Sequence, residues 1–306
     1  LDFSSFFATQ PAASAEVSAI VKIFIPFAIA TIMFAMGLGL RIVDFKRVLI
    51  EPRAVLIGAI GQLIVLPLVG FAIAIWFALP PPLAVGLILI TAAPGGPSSN
   101  LYSHLARGDV ALSVTLTAVS GVATIITIPL IMDLALGYFM GESKTVFMPA
   151  GETMLQIALL VGLPLSLGMV FRHHRPTLAD RAERIFKTLA VLLLAVLVVG
   201  AVTKEAKRIG DYLDLLLVPI VVLSFGSMFI GLGLGLLARL SGRQAITISI
   251  EVGMQNGALA MGLAMGTLNS EEIAMPAVVY SLVAYFSCAV WIPVGRRLTR
   301  APATPT

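Results

Sequence analysis

Nine apolar runs divide this chain, and each is about as long as the hydrocarbon layer of a bilayer is thick. They cover roughly residues 19–40, 54–79, 83–106, 110–132, 151–171, 185–203, 213–238, 244–267 and 275–295. A stretch of about 20 residues at ~1.5 Å each crosses ~30 Å of hydrocarbon, with some tilt when longer. The apolar residues form continuous runs rather than stripes, and only 12% of residues are charged, about half the share of a soluble domain. The expected class is an all-α polytopic membrane protein with nine transmembrane helices.

The basic residues orient the bundle. Alternate loops on one side hold Arg41, Lys46, Arg47, Arg53, Arg107, Arg172, Arg175, Arg181, Arg184, Lys187, Arg239, Arg243, Arg296, Arg297 and Arg300, which is 15 of the 20 cations. The other side holds Lys144, Lys204, Lys207 and Arg208; Lys22 snorkels from the start of the first run. Cytoplasmic loops carry the excess of Lys and Arg, so the N-terminus is expected outside and the C-terminus in the cytoplasm. Cations confined to short loops exclude a nucleic-acid surface. Cys288 is the sole cysteine, which excludes an intrachain disulfide and a thiolate metal site. No basic n-region precedes the first run, so the start reads as a short tail and not a signal peptide.

Two runs are interrupted by polar residues. In the third, PGGPSSN at 94–100 removes a backbone donor at Pro94 and relaxes the helix at Gly95 and Gly96. In the eighth, Glu251 lies in AITISIEVGMQNGALAMG, followed by Gln255 and Asn256. An ionised carboxylate at that depth costs several kcal/mol unless it is paired, which makes it a functional candidate. Unwound backbone at membrane depth is tolerated where it lines a cavity or is buried in protein. The breaks lie five runs apart, so the two halves run in opposite directions as inverted repeats, with spans 1–4 matching 6–9. Freed carbonyls suit Na⁺, and half-helix N-termini suit an anion. The plainer readings are a proline kink at 94–97 and a Glu251–Gln255 pair joining two helices; a protonated relay carboxylate at Glu251 is a third. The second break has no proline and reads as the softer one, with Glu251 and Gln255 one turn apart on a helical face. Ser113, Thr117 and Ser120 share one face of the fourth run, where such hydroxyls either bond backbone carbonyls or bind an ion. Gln62 reads similarly. His104 reads as packing.

These residues carry a resemblance. PGGPSSN, LARGDVALSVTLTAVS at 105–120, EVGMQN at 251–256, IMFAMGLGL at 32–40 and the Gln62-x₄-Pro67 spacing resemble the signatures of the bile acid:sodium symporter family, in order along nearly the whole chain. The resemblance implies a panel domain from 19–53 and 151–212 (spans 1, 5 and 6) and a core domain from 54–150 and 213–300 (spans 2–4 and 7–9). Residues 1–18 would be an extracytoplasmic tail and 301–306 a cytoplasmic one. It implies two discontinuous helices that cross in the core, and Na⁺-coupled uptake of an organic anion by alternating access. It places one Na⁺ on Ser99, Asn100, Ser113, Thr117 and Glu251. It places a second on Gln62, Glu251, Val252, Met254 and Gln255, with Val252 and Met254 contributing carbonyls. Asn256, Gly96, Pro97, Ser98 and Tyr285 would meet the substrate. The implied partners are about two Na⁺ ions, an organic anion and the lipid bilayer, with a single chain as the working unit in a bacterial inner membrane. The chain departs from relatives in two ways. Many bacterial members have ten spans, and Pro97 stands where relatives often carry a small polar residue. The last span also brings Tyr280, Tyr285 and Phe286 where some relatives place polar contacts. The substrate therefore stays open between a bile acid-like anion and a small carboxylate such as pantoate or a keto acid.

Proton coupling through Glu251 is the rival within transport. A membrane-embedded enzyme would need a nucleophile–base pair or metal ligands at depth. The three histidines are His104, His173 and His174, the last two in a basic loop, and no HExxH is present. A passive channel would conduct without coupling.

Overall fold

The computed structural model describes residues 12–141, 155, 157–204 and 209–299. The expected outermost termini, the start of the fifth apolar run, Lys144, Lys207, Arg208 and Arg300 lie outside the described residues. Every element described is helical, with no β-strand among these residues. Four helices are each long and apolar enough to cross a membrane: Pro52–Trp76, Val110–Met140, Gly210–Leu237 and Glu271–Leu298. A fifth crossing forms if Phe24–Gly39 and Ile42–Ile50, which meet at 62°, are one bent span.

The described residues begin with α1 (Ala12–Gly39), which turns into the short α2 (Ile42–Ile50). α2 occupies a stretch expected to be loop. Pro52 starts α3 (Pro52–Trp76), where Pro is at home because its missing N–H would be unpaired anyway. One turn of α3, Gly61–Val65, is a π-helix in which the Leu66 N–H reaches back to the Gly61 carbonyl. Pro67 has no N–H to continue the regular ladder, and the widened turn is the one that carries Gln62.

The third run splits into α4 (Pro81–Ala92) and α5 (Pro97–Leu105). Residues 83–92 of α4 are all buried, packed against α3, against α6 (Val110–Met140) and against the last helix. Asp109 caps α6 by accepting from the Leu112 N–H at 3.1 Å. α6 runs past the expected end at 132 to Met140, and Asp133 lies exposed on that last stretch. A second π turn, Ala158–Gly162, leads into α7 (Leu163–His174), followed by α8 (Pro176–Lys204) and α9 (Ile209–Leu237). α8 begins at Pro176 rather than at 185, and Asp180 and Glu183 of its charged first turns pair with Arg172 of α7.

The eighth run splits into α10 (Gly242–Gly253) and α11 (Gly257–Gly266), and α12 (Glu271–Leu298) is the last described element. A capping box of Ser241 and Gln244 starts α10. α12 carries Glu271 and Glu272 in its first turn and Arg296 and Arg297 in its last, each complementing the helix dipole.

Small residues set the helix contacts. Gly37 of α1 lies against the Leu165 carbonyl of α7, and Gly168 lies against the Phe34 carbonyl. Gly231 and Gly235 of α9 lie on Ser249 and Ala245 of α10, where any Cβ would clash. Between helices in lipid there is little hydrophobic gain, so this close van der Waals contact stands in for it. Leu56, Ile64, Leu68 and Ile75 of α3 remain exposed, the surface expected where lipid is the solvent. α1 packs against α7, α8 and α11. Where α7 meets α8, Arg172 is buried, donating to the Leu38 carbonyl and pairing with Glu183 and Asp180.

Candidate ion and substrate site

The two breaks meet. The Asn256 N–H donates to the Pro94 carbonyl at 2.8 Å, and Gly95 and Gln255 form an antiparallel bridge. Four half-helix ends therefore converge: the C-termini of α4 and α10 and the N-termini of α5 and α11. Pro94 and the two glycines explain the first break. The second needs another cause, because EVGMQN contains no proline.

Its cause lies in side chains that satisfy the terminal carbonyls of α10, which would otherwise lack partners. Gln255 Nε2 donates to the carbonyls of Glu251 at 3.0 Å and Val252 at 2.9 Å. The Tyr280 hydroxyl donates to the Gly253 carbonyl at 2.9 Å. Gly253 abuts Met228, so a side chain there would collide. On the far side Asn256 Oδ1 caps α11 by accepting from the Leu259 N–H at 3.0 Å. The break expected to be the softer is a full interruption. Gln255 accordingly stands beyond the helix that carries Glu251, and reaches back to it through its amide.

Glu251 is buried completely at the centre of this crossing. Three hydroxyls converge on its Oε1: Ser99 of α5 at 2.6 Å, Ser113 of α6, and Thr117 of α6 at 3.3 Å, with Thr117 also 3.2 Å from Oε2. Ser120, on the same face of α6, instead bonds the Thr117 carbonyl. No Lys or Arg pairs with Glu251 among the described residues. Gly95 stands against Oε2, where an added Cβ would lie 2.6 Å away. This need for a residue without a side chain is invisible in the string PGGP, which shows only that the helix is interrupted.

Gln62 enters from the π turn of α3. Its Nε2 donates to Gln255 Oε1 at 3.1 Å, while its own Oε1 is buried without a hydrogen-bond partner. Asn100 Oδ1 is also buried and unpartnered, as is the donor Asn256 Nδ2. Gly96 abuts Asn256, with an added Cβ 3.8 Å from its Cα. Pro97 occupies the first position of α5. Met254 is the extended residue of the break, and Val252 already receives the Gln255 amide.

α5 presents three faces, since successive residues turn by about 100°. Ser99 faces Glu251. Ser98 and Tyr102 face α12, where the Ser98 and Tyr285 hydroxyls lie 3.1 Å apart and the Tyr102 hydroxyl donates to the Tyr285 carbonyl at 3.2 Å. Asn100 and Leu101 face a cavity of about 320 Å³, which Met36 and Gly39 of α1, Val114 and Thr117 of α6, and Glu183 and Lys187 of α8 also line. Ser98 and Tyr285 thus belong to a different face from the cavity. His104 is exposed near the end of α5.

Residues 26–212 match the family model described as the Sodium Bile acid symporter family. A protein of Oryza sativa subsp. japonica named probable sodium/metabolite cotransporter BASS2, chloroplastic, is 32% identical over 251 residues, 81% of this chain and 58% of the relative. The uncharacterized sodium-dependent transporter YocS of Bacillus subtilis (strain 168) is 30% identical over 264 residues, 86% of this chain and 79% of the relative. The P3 protein of Mus musculus is 31% identical over 228 residues, 74% of this chain and 48% of the relative. The chain therefore spans less than two thirds of the rice and mouse proteins.

Proposed function

The chain belongs to the Sodium Bile acid symporter family, and from that premise we propose that it carries an organic anion across the membrane together with about two Na⁺ ions, by alternating access. It is an integral membrane protein of a sodium-dependent transporter family. In our reading nine spans cross the bilayer. Spans 1, 5 and 6 form a panel that moves against a core of spans 2–4 and 7–9, with the N-terminus outside and the C-terminus in the cytoplasm.

One observation carries the ion reading. A fully buried carboxylate has no cationic partner among the described residues, and the side-chain oxygens of Gln62 and of Asn100, which lines the same cavity as Thr117, are buried with no hydrogen-bond partner. A hard monovalent cation is the partner that such a set lacks, because oxygen ligands suit it and one carboxylate balances one charge. No cluster of three or more His, Cys, Asp and Glu residues that would mark a transition-metal site occurs among the described residues. We assign the first ion to Ser99, Asn100, Ser113, Thr117 and Glu251. We assign the second to Gln62, Glu251, Val252, Met254 and Gln255. The hydroxyls that donate to Glu251 can rotate and present lone pairs to the ion.

Charge balance supports an anion as the transported partner. Two Na⁺ beside one carboxylate leave a net positive charge. Asn256 Nδ2 is a buried donor without an acceptor, and α5 and α11 both begin at the crossing, so their amide dipoles point at the same place. We place the substrate at Asn256, Gly96 and Pro97, with Ser98 and Tyr285 framing its α12 side. The cavity between α1, α5, α6 and α8 reaches from Lys187 to Asn100 and Thr117, and offers the route to the cytoplasm. A bile acid-like anion and a small carboxylate both satisfy this charge logic.

Reconstituted in liposomes, the protein should accumulate a labelled organic anion when an inward Na⁺ gradient is imposed. A screen of carboxylates by thermal shift with Na⁺ or K⁺ would select the label. Uptake that ignores Na⁺ and follows a pH gradient would replace this reading with proton coupling through Glu251.

A further inference from the structure

We propose that α2 is a docking surface for anionic phospholipid headgroups, and that it holds the inner ends of the helices that cradle Glu251. α2 has no buried residue. Ile42, Val43, Lys46, Leu49 and Ile50 fall within one arc of about 120° at about 100° per residue. All five are exposed, Leu49 at 84% and Ile50 at 74%. A short helix set at 62° to its neighbour, with four apolar side chains outward, suits the plane of the interface rather than water or the hydrocarbon centre.

The occupant follows from charge. Lys46 sits at the centre of the apolar arc, while Arg41 precedes α2 and Arg53 follows it at the start of α3. All three are exposed and none takes part in a salt bridge with a described residue. Cations set among apolar side chains at this depth place their heads at the level of lipid phosphates, and an anionic leaflet attracts each of them.

The opposite face of α2 grips the core. Arg47 pairs with Glu51 at 3.0 Å and with Asp109, the N-cap of α6, at 2.5 Å. Glu51 accepts from Gln244 of the α10 capping box at 2.8 Å, and Thr115 of α6 donates to the Asp44 carbonyl at 3.0 Å. α6 carries Ser113 and Thr117, and α10 carries Glu251. A lipid that seats α2 therefore steadies the two helices whose side chains meet at the buried carboxylate.

The test needs neither Na⁺ nor substrate, so it stands or falls apart from the transport reading. Short-chain phosphatidylglycerol titrated into the detergent-solubilised protein should raise the melting temperature saturably. Short-chain phosphatidylcholine should raise it less, and inorganic phosphate should not. The triple variant Arg41→Gln/Lys46→Gln/Arg53→Gln should lose most of the phosphatidylglycerol shift. Lys46→Gln alone, a mild change at an exposed position, should lose part of it should the triple variant fold poorly. Equal shifts from the two lipids, a shift retained in both variants, or a full response to phosphate would overturn the proposal. So would a dimer by light scattering that the triple variant breaks and lipid leaves intact, since that would make this face a contact between copies.

Discussion

Glu251 dictates what its neighbours must be. Hydrogen bonds to a charged group contribute about 1.5–3 kcal/mol each. Three hydroxyls thus offset much of the several kcal/mol that a buried carboxylate costs, but they leave its charge in place. Bound Na⁺ stabilises the folded state by RT ln(1 + [L]/Kd), about 2.7 kcal/mol at about 100 times Kd. The parent should therefore melt higher in Na⁺ than in K⁺, and Glu251→Gln should lose that difference, as differential scanning fluorimetry would show. An unchanged Na⁺ shift would remove Glu251 from the site. The two adjacent glycines should behave differently. A Cβ on Gly95 lies 2.6 Å from Oε2, whereas one on Gly96 meets nothing closer than 3.8 Å. Gly95→Ala should abolish the Na⁺ shift and Gly96→Ala should keep it; equal effects would contradict the geometry. Glu251 was legible in the sequence because it is an acid in an apolar run. That Ser113 and Thr117 reach it while Ser120 bonds its own helix does not follow from the spacing, since all three share one face; only the family resemblance separates them.

At the scale of the element, the two breaks differ in how openly the sequence displays them. PGGP announces an interruption through missing donors and missing side chains. EVGMQN breaks as completely, but through Gln255 and Tyr280, whose bonds to α10 carbonyls come from residues on the far side of the break or in another helix. The Gln255 partner is local, but the same spacing also fits an unbroken helix, and no local pattern encodes Tyr280. α2 is likewise hidden in the sequence, because nine residues with three charges do not form an apolar run. Asn256 serves two ends at once: Oδ1 caps α11 and Nδ2 is left to donate. Two substitutions separate these roles. Asn256→Ala should cost about 1 kcal/mol of stability as a lost cap and weaken substrate binding. Asn256→Asp should keep the cap and still weaken binding of an anion, because a donor becomes a negative charge. Chemical denaturation and a binding isotherm read the two effects independently. An Asp variant that binds the substrate as the parent does would take Asn256 out of the substrate contact.

At the scale of the whole molecule, the 15 basic residues gathered between or at the ends of alternate apolar runs remain the strongest sign of orientation. In the structure α1 packs against α7 and α8 and also against α11, while α4 packs against α6 and α12. Cysteines introduced at exposed positions in 41–53 and 172–184 should react with an impermeant maleimide from the same side of the membrane; labelling from opposite sides would break the nine-span topology. The deeper requirement is coupling. The two assigned ion sets share Glu251, and they adjoin the Asn256 contact through the backbone bridge from Gly95 to Gln255. An ion that fixes the crossing therefore also fixes the half-helix ends that would hold the anion. Equilibrium coupling is reciprocal, so Na⁺ should tighten substrate binding by the same factor as substrate tightens Na⁺, within the usual range of roughly 5–150-fold. Titration calorimetry with a confirmed ligand at low and saturating Na⁺, K⁺ holding the ionic strength constant, measures that factor. A substrate affinity indifferent to Na⁺ would mean that the carboxylate and the crossing act as separate sites, and the shared backbone between them would then carry structure without carrying energy.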